Sequence, residues 1–139
     1  RLTWREVEAV ATAGVTVGSH AWTHESLGQM SEANARAQLQ RSRSALEQRL
    51  GRAVTSFAYP FGTRVDFSPV TARLLREAGY TCGFTSQHGA LRIGADRFAL
   101  PRIKVEGGET LRMFERLCDG GLDAWGWVDH HLWRLQARG

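Results

Sequence analysis

Three glycines set the rhythm of this chain. Gly14, Gly51 and Gly79 each close a stretch with helical apolar spacing, and a β-favouring run follows each of them. Glycine enters the left-handed conformation that ends a helix without a Cβ clash, so each of the three marks a helix-to-strand junction. Thr3 with Glu6 forms a capping-box pattern, and Trp4, Val7, Val10 and Ala11 share a face, which predicts a first helix over residues 4 to 13. Val15 to Ser19 then reads as a buried strand that delivers His20 at its carboxyl end.

The same logic continues along the chain. Ser31 caps a long helix to Leu50 with Ala35, Leu39, Ser42, Leu46 and Leu50 on its inner stripe, and Thr55 to Tyr59 is the next strand. Pro60-Phe61-Gly62 breaks that strand, and Ser68-Pro69 opens a third helix with Val70, Leu74, Leu75 and Ala78 expected to pack inward. Strands over Tyr80 to Thr85 and Phe98 to Val105 follow, then a helix from Glu109 to Cys118 with Leu111, Phe114 and Leu117 apolar. Strand and helix alternate, which implies parallel strands with crossover helices and places ligand chemistry at the carboxyl ends of the strands.

The 139 residues suffice for one compact domain. No apolar run approaches the roughly 18 residues of a membrane span. The chain opens at Arg1 directly into helix entry, and it reads as a fragment whose localisation its own residues leave unknown. Its net charge of +4 is spread along helices, as at Arg36, Arg43 and Arg49, which describes a solvated face and argues against nucleic acid. Cys82 and Cys118 lack metal-site spacing and read as buried free thiols, with a disulfide between them left open. At the far end, Trp125, Val128, Leu132 and Leu135 have the spacing of a terminal packing helix, with Trp127 and Trp133 adding bulk. His130 and His131 are adjacent there and diverge by about 100°, the reading of surface residues.

Three segments carry chemistry. His20 and His24 stand four positions apart after a strand, where a turn can bring two imidazoles to one zinc ion; the alternative is a pair of hydrogen-bonded loop residues. Tyr59-Pro60-Phe61-Gly62 either presents a backbone N–H to an oxyanion or is an ordinary strand-to-helix turn. Arg102 enters a strand that otherwise reads as buried, where it would need a carboxylate partner, in the site or in a structural ion pair.

Taken in order, Gly18-Ser19-His20-Ala21-Trp22-Thr23-His24, Ala58-Tyr59-Pro60-Phe61-Gly62 and Leu100-Pro101-Arg102-Ile103 resemble the polysaccharide deacetylases of carbohydrate esterase family 4, the NodB-homology group. The resemblance covers residues 1 to 120 and implies an α/β fold, the latter part of a deformed (β/α) barrel, followed by a tail over 121 to 139. It further implies a divalent metal, most often zinc, held by His20 and His24 together with an aspartate from an upstream pair whose other member is the base. No Asp precedes Asp66 here. Phe61 would supply the oxyanion N–H, Arg102 would orient the acidic base, and Tyr59, Pro60 and Trp22 would contact the substrate, an acetylated polysaccharide. The sequence departs from the pattern in three places: Ala21 stands where Ser or Thr is usual, Ala58 where many members carry arginine, and no Leu-x-His motif follows. Arg102 would replace the arginine lost at Ala58, and His88 is the candidate for the missing acid histidine. The family relation also suggests a cell-envelope or extracellular setting. A non-catalytic carbohydrate-binding or scaffolding descendant of the fold is the competing expectation.

Overall fold

The computed structural model describes residues 2–105, 108 and 110–121. Within them the helices form where their ends are chemically specified. Helix α1 (Trp4–Thr12) begins at a complete Thr3–Glu6 capping box, α2 (Glu32–Leu50) at a Ser31 cap, and α3 (Pro69–Glu77) at a Ser68–Thr71 box with proline in its first turn. Gly51 ends α2 at φ 63°, a left-handed stop. A fourth helix, α4 (Leu111–Cys118), is capped by Thr110.

The strands β1 (Ser56–Ala58), β2 (Cys82–His88) and β3 (Leu100–Arg102) form one parallel sheet in the order β1-β2-β3. Phe57 lies beside Gly83, and Phe84 beside Leu100. The strands are parallel as expected, with α3 between β1 and β2, while β2 and β3 are joined without a helix. Residues 15 to 19 differ from expectation. They do not form a buried strand: Val15 is 54% exposed, and only Ser19 bridges to the sheet, in parallel with Phe57. The Ser19 N–H donates to the Ser56 carbonyl and the Ala58 N–H donates to Ser19, each at 2.9 Å. β-branched composition favours extension, but burial needs a neighbour on both faces, and among the described residues this segment is the sheet edge.

The core lies between the sheet and α2–α3, built from Leu27, Leu39, Val54, Phe57, Tyr59, Leu74, Leu75, Tyr80 and Phe98. Each fully buried leucine or phenylalanine contributes about 1.5–3 kcal/mol. On α3 the inward stripe is Thr71, Leu74, Leu75 and Ala78, while Val70 is exposed. At 100° per residue, Val70 sits a quarter-turn from the centre of that stripe. In α4, Leu117 is buried and Leu111 and Phe114 are exposed. Neither cysteine is buried as expected: Cys82 is half-buried, Cys118 is exposed, and both are free thiols. The tail read as a packing helix, with its tryptophans, His130 and His131, lies outside the described residues.

Arg43 closes the amino-terminal end of the sheet. Its Nε donates to the Glu47 carboxylate at 2.9 Å and to the Val54 carbonyl at 3.1 Å, and its Nη1 donates to the Ala78 carbonyl. Glu47 in turn accepts the Val54 N–H at 3.0 Å. One guanidinium thus ties α2 to both loops that feed β1 and β2. No helix among the described residues is long and apolar enough to cross a membrane.

Candidate functional site

The carboxyl end of the sheet gathers the first two of the three sequence segments. His20 follows the Ser19 bridge, and its Nδ1 lies 2.7 Å from the Ala58 carbonyl oxygen at the end of β1. A carbonyl only accepts, so Nδ1 carries a proton, and in the neutral ring the lone pair is left on Nε2. The His20 and His24 rings stand edge to face with centroids 4.8 Å apart, and His24 contacts the Phe61 ring at 5.0 Å. Both histidines are exposed.

Among the described residues three non-glycine positions have positive φ, and all three are here: Ala21 at 62°, His24 at 58° and Phe61 at 59°. An L-residue in this region costs on the order of 1 kcal/mol, so the surroundings must hold it. For Phe61 the holding is done by the next residue. Gly62, at φ 68°, accepts from the Ser86 N–H at 2.9 Å and runs so close to β2 that an added Cβ would lie 2.5 Å from the Ser86 nitrogen. Among the described residues the Phe61 N–H has no hydrogen-bond partner, and its side chain is 58% exposed. This turn therefore presents a backbone donor beside the histidine pair.

Gln38, on α2, grips the histidine loop. Its Oε1 accepts from the Trp22 and Thr23 N–H groups at 2.9 and 3.0 Å, and its Nε2 donates to Thr23 Oγ1 at 2.9 Å. Sequence reasoning missed this residue, because its partners are 15 and 16 positions away and a glutamine on a helix carries no local signal. Below the loop, buried Ser19 donates to Ser42 Oγ at 2.8 Å, which fixes the bridge residue to α2.

Several expected roles meet different surroundings. The Tyr59 side chain is fully buried, with its hydroxyl donating to the Phe98 carbonyl at 2.9 Å, and Pro60 is buried beside it. Neither side chain is placed to touch a polymer; strand alternation turns Tyr59 to the core face. Desolvation pushes the Tyr59 hydroxyl up to about 12, offset by a hydrogen bond from Thr71 and reinforced by Asp96. Trp22 is exposed, and the Arg41 guanidinium lies 4.0 Å over its ring. Arg102 is exposed instead of buried, and its Nε donates to the Thr85 carbonyl at 2.5 Å; no carboxylate pairs with it among the described residues. It sits on β3, two strands from Ala58, so it does not fill that position directly. His88 pairs with Arg102 in register, four residues past the Phe84 level that adjoins Ala58. Ideal strand spacing puts it roughly 15 Å from His20.

The spacing of the two histidine rings is compatible with a shared metal ion. A nitrogen ligand at about 2.0–2.1 Å sets each ring centroid roughly 3 Å from the ion, so two rings at a tetrahedral angle stand about 5 Å apart. Among the described residues no group of three His, Cys, Asp or Glu side chains is placed to complete a shell. Asp66, the one buried carboxylate of the described core, accepts instead from the Thr63 N–H and hydroxyl at 2.9 and 2.5 Å.

A family model described as polysaccharide deacetylase matches residues 2–83. The chain belongs to the polysaccharide deacetylase family. Its fold is also that of solved deacetylases. The Streptococcus pyogenes deacetylase PplD, solved in complex with acetate, superposes with a TM-score of 0.71 at 22% identity, over 76% of this chain and 45% of that one. A polysaccharide deacetylase from Bacillus cereus gives 0.72 at 23% identity, over 82% and 35%. IcaB from Ammonifex degensii gives 0.66 at 23% identity, over 89% and 52%. The chain thus spans about a third to a half of the length of these structures, and the α/β, partial-barrel fold expected from sequence is the one observed.

Proposed function

We propose that this polysaccharide deacetylase domain takes part in hydrolysis of N-acetyl or O-acetyl groups on a polysaccharide, releasing acetate, with a divalent metal, zinc foremost, at His20 and His24. The observation that carries the reading is the His20 Nδ1 contact with the Ala58 carbonyl beside a His24 ring 4.8 Å away. That contact leaves a basic nitrogen aimed away from the strand, the arrangement that second-shell partners give to metal-bound imidazole. When bound, such an ion polarises the acetyl carbonyl and makes its water acidic near neutrality.

This chain's own residues supply three further parts. The Phe61 N–H donates to the oxyanion as the acetyl carbonyl turns tetrahedral; removal of one such donor costs about 3 kcal/mol of barrier. Its strained turn holds that donor in place before substrate arrives. Trp22, exposed and stacked by Arg41, lies within the histidine loop, and its ring offers an apolar platform for a sugar. Arg102 and His88 lie farther along the sheet, where they act on the polymer or on a base brought from elsewhere. The metal-binding aspartate and the base aspartate of the family pattern have no counterpart before Asp66.

The test is acetate release from N-acetylglucosamine oligomers and acetylated xylan by the native protein carrying this sequence. Release that stops with chelator and returns with zinc is expected; zinc-independent release, or none on any acetylated polymer, would overturn the proposal. A secreted or envelope location is part of the same reading and is checked by fractionation.

A further inference from the structure

Gln38 makes three hydrogen bonds to the histidine loop. The loop from His20 to His24 contains two left-handed residues, Ala21 and His24, and has no regular backbone hydrogen bonding of its own. Its two central N–H groups, of Trp22 and Thr23, both end on the single Oε1 of Gln38. Two lone pairs meet two donors, so that oxygen is saturated.

The other half of the amide fixes direction. Gln38 Nε2 donates to Thr23 Oγ1, and the Thr23 hydroxyl donates in turn to Glu25 Oε2 at 2.9 Å. The three bonds therefore define a single orientation of the amide and a single path for the chain between the two imidazoles. Gln38 itself is anchored on a helix whose adjacent position, Leu39, is wholly buried. The loop inherits the rigidity of α2.

We infer that Gln38 is a positioning residue for the ligand pair: it holds the loop in the bent path that brings His24 within 4.8 Å of His20. The inference rests on the reading of these histidines as metal ligands. Without the clamp, Ala21 and His24 relax out of the left-handed region and the rings separate. Partners that orient ligands typically change metal affinity by about 10–100-fold.

The experiment uses the native protein with Gln38→Ala and Gln38→Glu, and two readouts. The first is amide hydrogen exchange at Trp22 and Thr23 without metal; the second is the dissociation constant for zinc. Gln38→Ala is expected to speed exchange at both amides by about tenfold or more, and to raise the zinc constant by about 10–100-fold, with the melting curve of α2 unchanged. Gln38→Glu keeps the acceptor for both amides and loses the donor to Thr23, so slow exchange should return and affinity should recover in part. Unchanged exchange in Gln38→Ala, or faster exchange with zinc affinity within about twofold of wild type, would overturn the inference. Failure of the wild type to bind zinc would instead sink the ligand reading, and the metal-free exchange arm tells the two failures apart.

Discussion

His20 and Ala58 are joined across the sheet edge by a 2.7 Å contact from an imidazole Nδ1 to a main-chain carbonyl. Because the acceptor is backbone, no side-chain substitution at Ala58 can remove it, and the tautomer is fixed by the fold itself. His20→Ala should therefore abolish zinc binding in the native protein, while His20→Asn, which can donate to Ala58 but reaches less far, should keep the fold and lose most of the affinity. Calorimetric titration with zinc checks both; stoichiometric binding by His20→Ala would refute the assignment.

Gly62 cannot take a side chain. A Cβ would stand 2.5 Å from the Ser86 nitrogen and 3.1 Å from the Thr85 carbonyl carbon, at φ 68°. Gly62→Ala is expected to cost at least about 2 kcal/mol, well beyond the usual surface range. Urea unfolding measures it, and a loss under about 0.5 kcal/mol would mean that the Pro60–Gly62 turn packs otherwise.

Only two tyrosines occur in this chain, Tyr59 and Tyr80, and both are buried. Burial raises both hydroxyls above the ordinary value of 10, Tyr59 to about 12. The unfolded chain then loses these protons first as pH rises, so the stabilisation is complete below about pH 10 and is lost progressively towards pH 12. Tyrosinate absorbance should stay flat until the protein unfolds, and Tyr59→Phe should make the loss of stability between about pH 10 and 12 shallower while costing about 1–3 kcal/mol at neutral pH, because the Phe98 carbonyl loses its donor. A smooth ionisation of both tyrosines near pH 10 in the folded protein would contradict this.

Leu39 is wholly buried and its carbonyl accepts from both Ser42 and Tyr80. Leu39→Ala should destabilise by about 2–5 kcal/mol, the range for a leucine truncated in a core that cannot collapse. Since Leu39 adjoins Gln38, the variant should also weaken zinc binding in proportion to local loosening, which amide exchange at Trp22 would register.

Local chemistry made the helices legible. Thr3 with Glu6, Ser31, Ser68-Pro69 and Gly51 specify ends through atoms only a few positions away, and all four ends form as read. His20, His24 and Phe61 were legible for a different reason: strand ends converge wherever strands are parallel. What failed were the face readings at particular residues, Val15, Val70, Tyr59 and Arg102, while Leu39, Leu74 and Leu75 pack inward as read. Tyr59 and Phe61 are two apart, yet Tyr59 enters the core and Phe61 faces out, because the left-handed turn breaks strand alternation. Val15 and Arg102 were read as buried from composition, but burial at a sheet edge depends on distant neighbours. Gln38 was invisible because its function is set by a loop 15 residues away.

The Arg43 staple and the histidine pair occupy opposite ends of the same strands. Strands of even a few residues hold those ends roughly 10 Å or more apart, the separation beyond which substitutions act independently. Changes in the Arg43–Glu47 cluster can therefore shift tolerance to heat or denaturant without altering the spacing of the two histidine rings, and the loops that carry His24 and Phe61 can change sequence without unseating the fold. One end of the sheet sets how long the protein lasts, and the other is free to vary.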